Sequence, residues 1–171
     1  IPPVDVALVD GDHNWYTVFN ELTLIAQTSR TAGEPLPVII LHDVCWPYGR
    51  RDLYYDPDTI PEEFRQQHAQ LGMVPEKTTL VWLGGINPTM QNAVHEGGER
   101  NGVMTAIDDF VAGYDRPIRR VLLPIYFGLE ILVDDERLAR NPALAAVLDD
   151  LEGPGARQAL LELSEHWRIK A

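Results

Sequence analysis

The sequence predicts an α/β fold built on an open, mostly parallel sheet that ends in an antiparallel strand pair. Three observations predict it. Two short apolar runs flank a helical stretch, each run stops at a polar cluster, and two further apolar runs lie side by side near the C-terminus. The 171 residues are read as one domain, because 45% hydrophobic and 23% charged content is that of a chain able to bury a core.

Val4 to Val9 reads V-D-V-A-L-V and stops at Asp10-Gly11-Asp12-His13-Asn14. A nearly continuous apolar run of this length fits a strand buried on both faces of a parallel sheet. From Trp15 the period changes: Trp15, Val18, Phe19, Leu22, Ile25 and Ala26 recur at helical spacing, and Asp12 or Asn14 is placed to cap the helix. After the breaker stretch Thr31 to Pro35, Pro37 to Leu41 gives a second strand, which ends at His42-Asp43. Strand, helix and strand form a βαβ unit, so both polar clusters are expected at the carboxyl ends of neighbouring parallel strands, the edge where open α/β sheets bind ligands.

Residues 45–101 differ in character, with Pro47, Pro57, Pro61, Pro75 and Pro88 and two Gly-Gly pairs. They read as a long insertion covering a site, with a short helix near Pro61 to Leu71 and a short strand at Thr79 to Leu83. Trp46, Tyr48, Tyr54, Tyr55 and Trp82 make it too aromatic for a solvated linker. Gly102 to Gly113 returns to helical spacing, Arg119 to Ile125 and Leu129 to Val133 read as an antiparallel pair around Tyr126-Phe127-Gly128, and the Leu-rich end is helical on both sides of Gly153-Pro154-Gly155.

Composition narrows the function classes. With 26 Asp+Glu against 14 Lys+Arg the net charge is −12, which repels a phosphate backbone and argues against a nucleic-acid partner. No apolar run reaches the roughly 18 residues of a membrane-spanning helix. The single Cys45 excludes an internal disulfide and any CxxC site, and no secretory signal is visible, so a reducing, cytoplasmic setting is expected. The start, Ile1-Pro2-Pro3, reads as the inside of a longer polypeptide.

The candidate chemistry lies in the two polar clusters. Gly11 permits a sharp turn, while Asp10, Asp12 and His13 bring oxygen donors and an imidazole to one place, and His42 and Asp43 are expected beside them. Asp10, His42 and Asp43 together suit a divalent cation. The plainer reading makes Asp12 a helix cap, Asp10 a turn residue and His42 an interior imidazole. In the insertion, Trp46 and Tyr48 offer aromatic faces to an acceptor molecule, and Arg50-Arg51 either pair with its carboxylate or phosphate or balance Asp52, Asp56 and Asp58 at the surface. His95 to Gly102 reads as a Gly-rich loop ahead of a helix.

The segment V-D-V-A-L-V-D-G-D-H-N-W-Y, then a helix, then P-V-I-I-L-H-D-V, resembles the fourth strand, following helix and fifth strand of class I S-adenosylmethionine-dependent methyltransferases. It is closest to the branch of small-molecule O-methyltransferases of natural-product pathways with a DGDH-type motif. The resemblance implies a Rossmann-like fold of which this chain is the carboxyl-terminal half, with the Arg119 to Val133 pair as the sixth and seventh strands. It implies methyl transfer from S-adenosylmethionine to a hydroxyl of a sugar-like or phenolic acceptor. Cofactor contacts would fall to Asp10, Gly11 and Asp12, and a Mg²⁺ ion to Asp10, His42 and Asp43, with His42 standing where the family has an acid. The metal-free alternative makes His13 or His42 the general base, beside Asp10. The family's Gly-rich cofactor turn would lie upstream of Ile1. Two other readings stand beside this one: a noncatalytic Rossmann-like module whose open sheet edge is covered by an N-terminal domain or a second copy, and a metal-dependent hydrolase using Asp10, His13, His42 and Asp43.

Overall fold

The computed structural model describes residues 4–170. Strand β1 (Val6–Val9), helix α1 (Trp15–Ala32) and strand β2 (Val38–His42) form the expected unit, with β1 and β2 parallel and Val6 opposite Val38. Strands β3 (Leu53–Tyr54), β4 (His68–Gln70) and β5 (Gln91–Ala93) follow, then α2 (Val103–Gly113), β6 (Ile118–Leu123), β7 (Leu129–Asp134), α3 (Asp135–Arg140), α4 (Pro142–Glu152) and α5 (Pro154–Lys170). The main sheet has the order β1-β2-β7-β6, and β7 runs antiparallel to both of its neighbours. The sheet is therefore mixed rather than mostly parallel in its pairings, although three of its four strands point the same way.

Helices α1 and α2 cover one face. Their Val18, Leu22, Ala106, Ile107 and Phe110 pack on Val9, Ile39, Leu41 and Leu132. The other face is covered by Leu138 of α3 and by Leu144, Leu148 and Leu151 of α4, which pack on Val121, Ile131 and Val133. Each fully buried aliphatic side chain in these layers contributes roughly 1.5–3 kcal/mol. The second layer stops short of β1, so Val6 is 54% and Leu8 69% exposed. The expectation of a strand buried on both faces is corrected here: β1 is an edge strand, and an apolar run reports strand character without reporting which layers reach it.

Helix α1 starts as its sequence dictates. Asn14 accepts a hydrogen bond from the Thr17 amide at 2.8 Å, and Asp12 steadies that cap by accepting from Asn14 Nδ2 at 2.6 Å. Gly33, at φ 70°, ends the helix.

The insertion differs from its expected outline. The helix expected over Pro61 to Leu71 is one 3₁₀ turn at Glu62–Phe64 followed by β4, and the strand expected at Thr79 to Leu83 is reduced to isolated pairings of Val81 with Gly72 and Thr79 with His95. A small antiparallel sheet, β3-β5-β4, organises the segment instead, over a miniature core of Tyr48, Leu53 and Met73 backed by Trp46, Leu80 and Met90. Helix α5 buries no side chain, so its leucines are surface residues rather than core.

Candidate functional site

The carboxyl ends of β1 and β2 lie side by side because these strands pair in parallel register, Val9 opposite Leu41. The next residues, Asp10 and His42, are brought together by that register alone, and His42 Nδ1 stands 3.3 Å from Asp10 Oδ1. Asp43 adopts φ 56°, a left-handed conformation that Asp tolerates better than most residues. Its Oδ2 lies 3.3 Å from His42 Nδ1 and 2.7 Å from His13 Nε2. One ligand atom from each of Asp10, His42 and Asp43 falls within 4.8 Å of the others.

His13 forms the inner wall of this cluster. It is only 8% exposed, and its Nε2 also sits 3.7 Å from Asp10 Oδ1. Despite its closeness to Asp43, Nε2 has no aligned hydrogen bond, so the contact is one of charge rather than of a directed N–H. The ring is held from three sides: Tyr48 stacks on it at 5.7 Å, the Tyr55 hydroxyl approaches Nδ1 at 3.5 Å, and the His13 carbonyl accepts from the Leu53 amide at 3.0 Å. Burial alone would lower the His13 pKa, but Asp43 and Asp10 outweigh it and raise the pKa above its ordinary value. Burial would raise that of Asp43, and His13 and His42 outweigh it and hold it below the ordinary carboxylate value. The imidazolium–carboxylate pair is thus favoured in the folded protein.

These four residues floor a pocket of about 480 Å³ walled by Pro47, Tyr48, Leu53 and Tyr55, with Asn87, Met90 and Phe127 completing the rim. The insertion returns over the strand ends because Asp52 fastens it there. This carboxylate is fully buried, and its Oδ1 accepts from the amides of Trp15, the first residue of α1, at 2.7 Å and of Gly102, which caps α2, at 2.6 Å. Its Oδ2 accepts from the Tyr54 hydroxyl at 2.7 Å. Burial dominates these bonds and pushes the Asp52 pKa up to about 6. Gly102 cannot be replaced at this junction: at φ 93°, a side chain there would sit 2.4 Å from the Arg51 backbone nitrogen.

The structure places the other expected site residues elsewhere. Arg51 is fully buried and donates to the carbonyls of Ala93 and Thr78, with Glu96 at 3.5 Å, so it braces the insertion and does not line the pocket. Arg50 reaches across to α2, donating to Asp108 at 2.6 Å and Thr105 at 3.1 Å. Trp46 packs into the miniature core, which leaves Tyr48 as the one of the four expected acceptor-side residues that lines the pocket. Asp12 is occupied by the Asn14 cap, and Gly11 lies beside a separate, shallower pocket with Leu8, Val9 and Glu21. Asn87, Met90 and Phe127 also line the pocket and carry no sequence signal for it. Tyr55, whose ring closes the aromatic run expected over the His42-Asp43 pair, does line the pocket.

Two carboxylates and an imidazole are a donor set that fits a divalent cation. The fit to S-adenosylmethionine is incomplete, since among the described residues no G-x-G turn links a strand to a helix: the turn after β1 holds only Gly11, and the loop from β5 to α2 carries Gly97, Gly98 and Gly102 without that spacing. No family model matches the chain, and neither a curated protein nor a solved structure is significantly similar to it. No described helix is long and apolar enough to cross a membrane.

Proposed function

We propose that this chain carries the acceptor side of a small-molecule O-methyltransferase site, in which a hydroxyl is held over Asp10, His42 and Asp43 to receive a methyl group from S-adenosylmethionine. The single observation that carries this reading is the convergence of the two strand-end clusters at the floor of one pocket, with ligand atoms of three residues within 4.8 Å of one another. The layout of strand, helix and strand followed by an antiparallel pair agrees with the resemblance read from the sequence, and this supports the assignment of the reaction.

The residues of the chain divide the work as follows. Tyr48, Tyr55 and Met90 wall the pocket and enclose a ring-sized acceptor. Asp10, His42 and Asp43 would hold a divalent cation, which when bound supplies positive charge where the acceptor oxygen becomes anionic. In its neutral form His13 would take the hydroxyl proton, with Asp43, 2.7 Å away, to stabilise the resulting imidazolium.

Asp43→Ala in the full gene product tests the reading. It is expected to lower methyl transfer to a panel of phenolic and sugar acceptors by at least about a hundredfold, with an unchanged circular dichroism spectrum and unchanged calorimetric binding of S-adenosylhomocysteine. A wild-type protein that binds no S-adenosylhomocysteine, or a variant with the wild-type rate, overturns it. Hydrolysis of ester or phosphate substrates by the wild type, lost in Asp43→Ala, would assign the site to the hydrolase reading instead.

A further inference from the structure

A site of two carboxylates and one imidazole does not treat all divalent cations alike. Mg²⁺ demands oxygen ligands and gives up water reluctantly, whereas Mn²⁺, Co²⁺ and Zn²⁺ accept an imidazole nitrogen readily, Zn²⁺ the most readily of the three. In this cluster the imidazole is central. His42 Nδ1 is 3.3 Å from Asp10 Oδ1 and 3.3 Å from Asp43 Oδ2, so a cation placed between the two carboxylates meets that nitrogen as its third donor. Ligand atoms about 3 Å apart are the spacing that metal–ligand bonds near 2.1 Å produce.

A second, independent observation points to a ligand at the same place. His13 Nε2 is buried beside the cluster, 2.7 Å from Asp43 Oδ2 and 3.7 Å from Asp10 Oδ1, without an aligned hydrogen bond to either. A buried imidazole nitrogen that meets two carboxylates by charge alone keeps its directed hydrogen-bonding capacity open to a ligand in the cluster. The surrounding wall adds no further carboxylate that would restore an all-oxygen set; the remaining lining is Pro47, Tyr48, Leu53, Tyr55, Asn87 and Met90, with Phe127 at the rim.

We infer that the strand-end cluster is a site for a first-row transition-metal ion in preference to Mg²⁺, and that His42 is the residue that sets this preference. The inference rests on the reading of the cluster as a cation-assisted acceptor site, but it concerns metal binding alone and is read without methyl donor or acceptor.

The test is a calorimetric titration of the metal-stripped protein with Zn²⁺, Co²⁺ and Mg²⁺ separately, repeated on His42→Asp. The wild type is expected to bind Zn²⁺ and Co²⁺ at least about a hundredfold more tightly than Mg²⁺, and His42→Asp to shrink that ratio about tenfold or more by weakening Co²⁺ and tightening Mg²⁺. In ¹⁵N-edited spectra, Zn²⁺ should shift the His42 Nδ1 resonance, a signal that a merely structural histidine would not give. If His42→Asp does not fold, His42→Asn, which also offers an oxygen, carries the same expectation. Equal affinity for Mg²⁺ and Co²⁺, an unchanged ratio in the variant, or no binding of any of the three ions overturns the inference. A protein with the expected metal preference that binds no S-adenosylhomocysteine would retain this inference and lose the methyl-transfer reading; the opposite pattern would do the reverse.

Discussion

The floor of the pocket and its wall are built by different physics. The floor, β1-α1-β2, is set by hydrophobic periodicity: Val18 and Leu22 of α1 lie on Ile39 and Leu41 of β2, and the polar clusters follow wherever the strands end. The wall, residues 45–101, has only a miniature apolar core and is fastened by polar side chains buried against backbone groups. Asp52 ties it to α1 and α2, Arg51 to the carbonyls of Ala93 and Thr78, and Asn101 joins the Asp52 amide to the carbonyls of His95 and Gly97. A segment rich in proline and glycine is thus held in place mainly by a few buried polar side chains, although Arg51 Nε and Arg65 Nε have no hydrogen-bond partner.

The comparison breaks hardest at Asp52. Asp52→Ala strands the amides of Trp15 and Gly102 and the Tyr54 hydroxyl in a dry interior, and should cost about 4 kcal/mol in urea unfolding. That is as much as or more than the roughly 3 kcal/mol expected for Leu22→Ala in the apolar layer. Asp52→Asn keeps a carbonyl for the two amides and should cost clearly less. Equal small losses for Asp52→Ala and a surface variant would mean that the wall is held by its apolar contacts after all.

Stability against pH sharpens the same contrast. The raised pKa of Asp52 means that the folded state keeps its proton between about 4 and 6 while the unfolded chain loses it, so this contribution falls as pH rises through that window and is flat above it. His13, also raised, stabilises most below its ordinary value near 6.5 and loses its contribution as pH climbs through the higher folded value. Asp43, lowered, contributes above about 4 and loses its share as pH falls through its depressed folded value. The urea midpoint should thus be higher at pH 5 than at pH 8, and Asp52→Asn should flatten the limb between pH 4 and 6. The smallest effect belongs to Asn14→Ala, which removes a helix cap and should cost about 1 kcal/mol with no change in that pH profile.

The same contrast explains what the sequence reveals. Elements whose residues repeat at a strand or helix period, such as α1, β2, α2 and the β6–β7 pair, are legible because the pattern is local. Asp10, His13, His42 and Asp43 meet because strand pairing puts them together, which is also a local inference once the βαβ unit is seen. Arg51 and Asp52 carry no such mark. An Arg-Arg-Asp triplet reads as surface charge, and only the three-dimensional path of the insertion shows that two of these residues are buried and the third reaches α2. Strands of two or three residues, such as β3 and β5, are too short to display alternation, so the small sheet leaves no periodic trace.

Asp52 seats the first turns of two helices with a single carboxylate oxygen, and this has a kinetic meaning. The wall cannot swing outward without uncapping α1 and α2 together, so its amides should exchange with solvent only when much of the domain opens. A molecule would then reach the pocket from its solvent side, where Tyr55 and Phe127 are half exposed, without a hinged flap having to open.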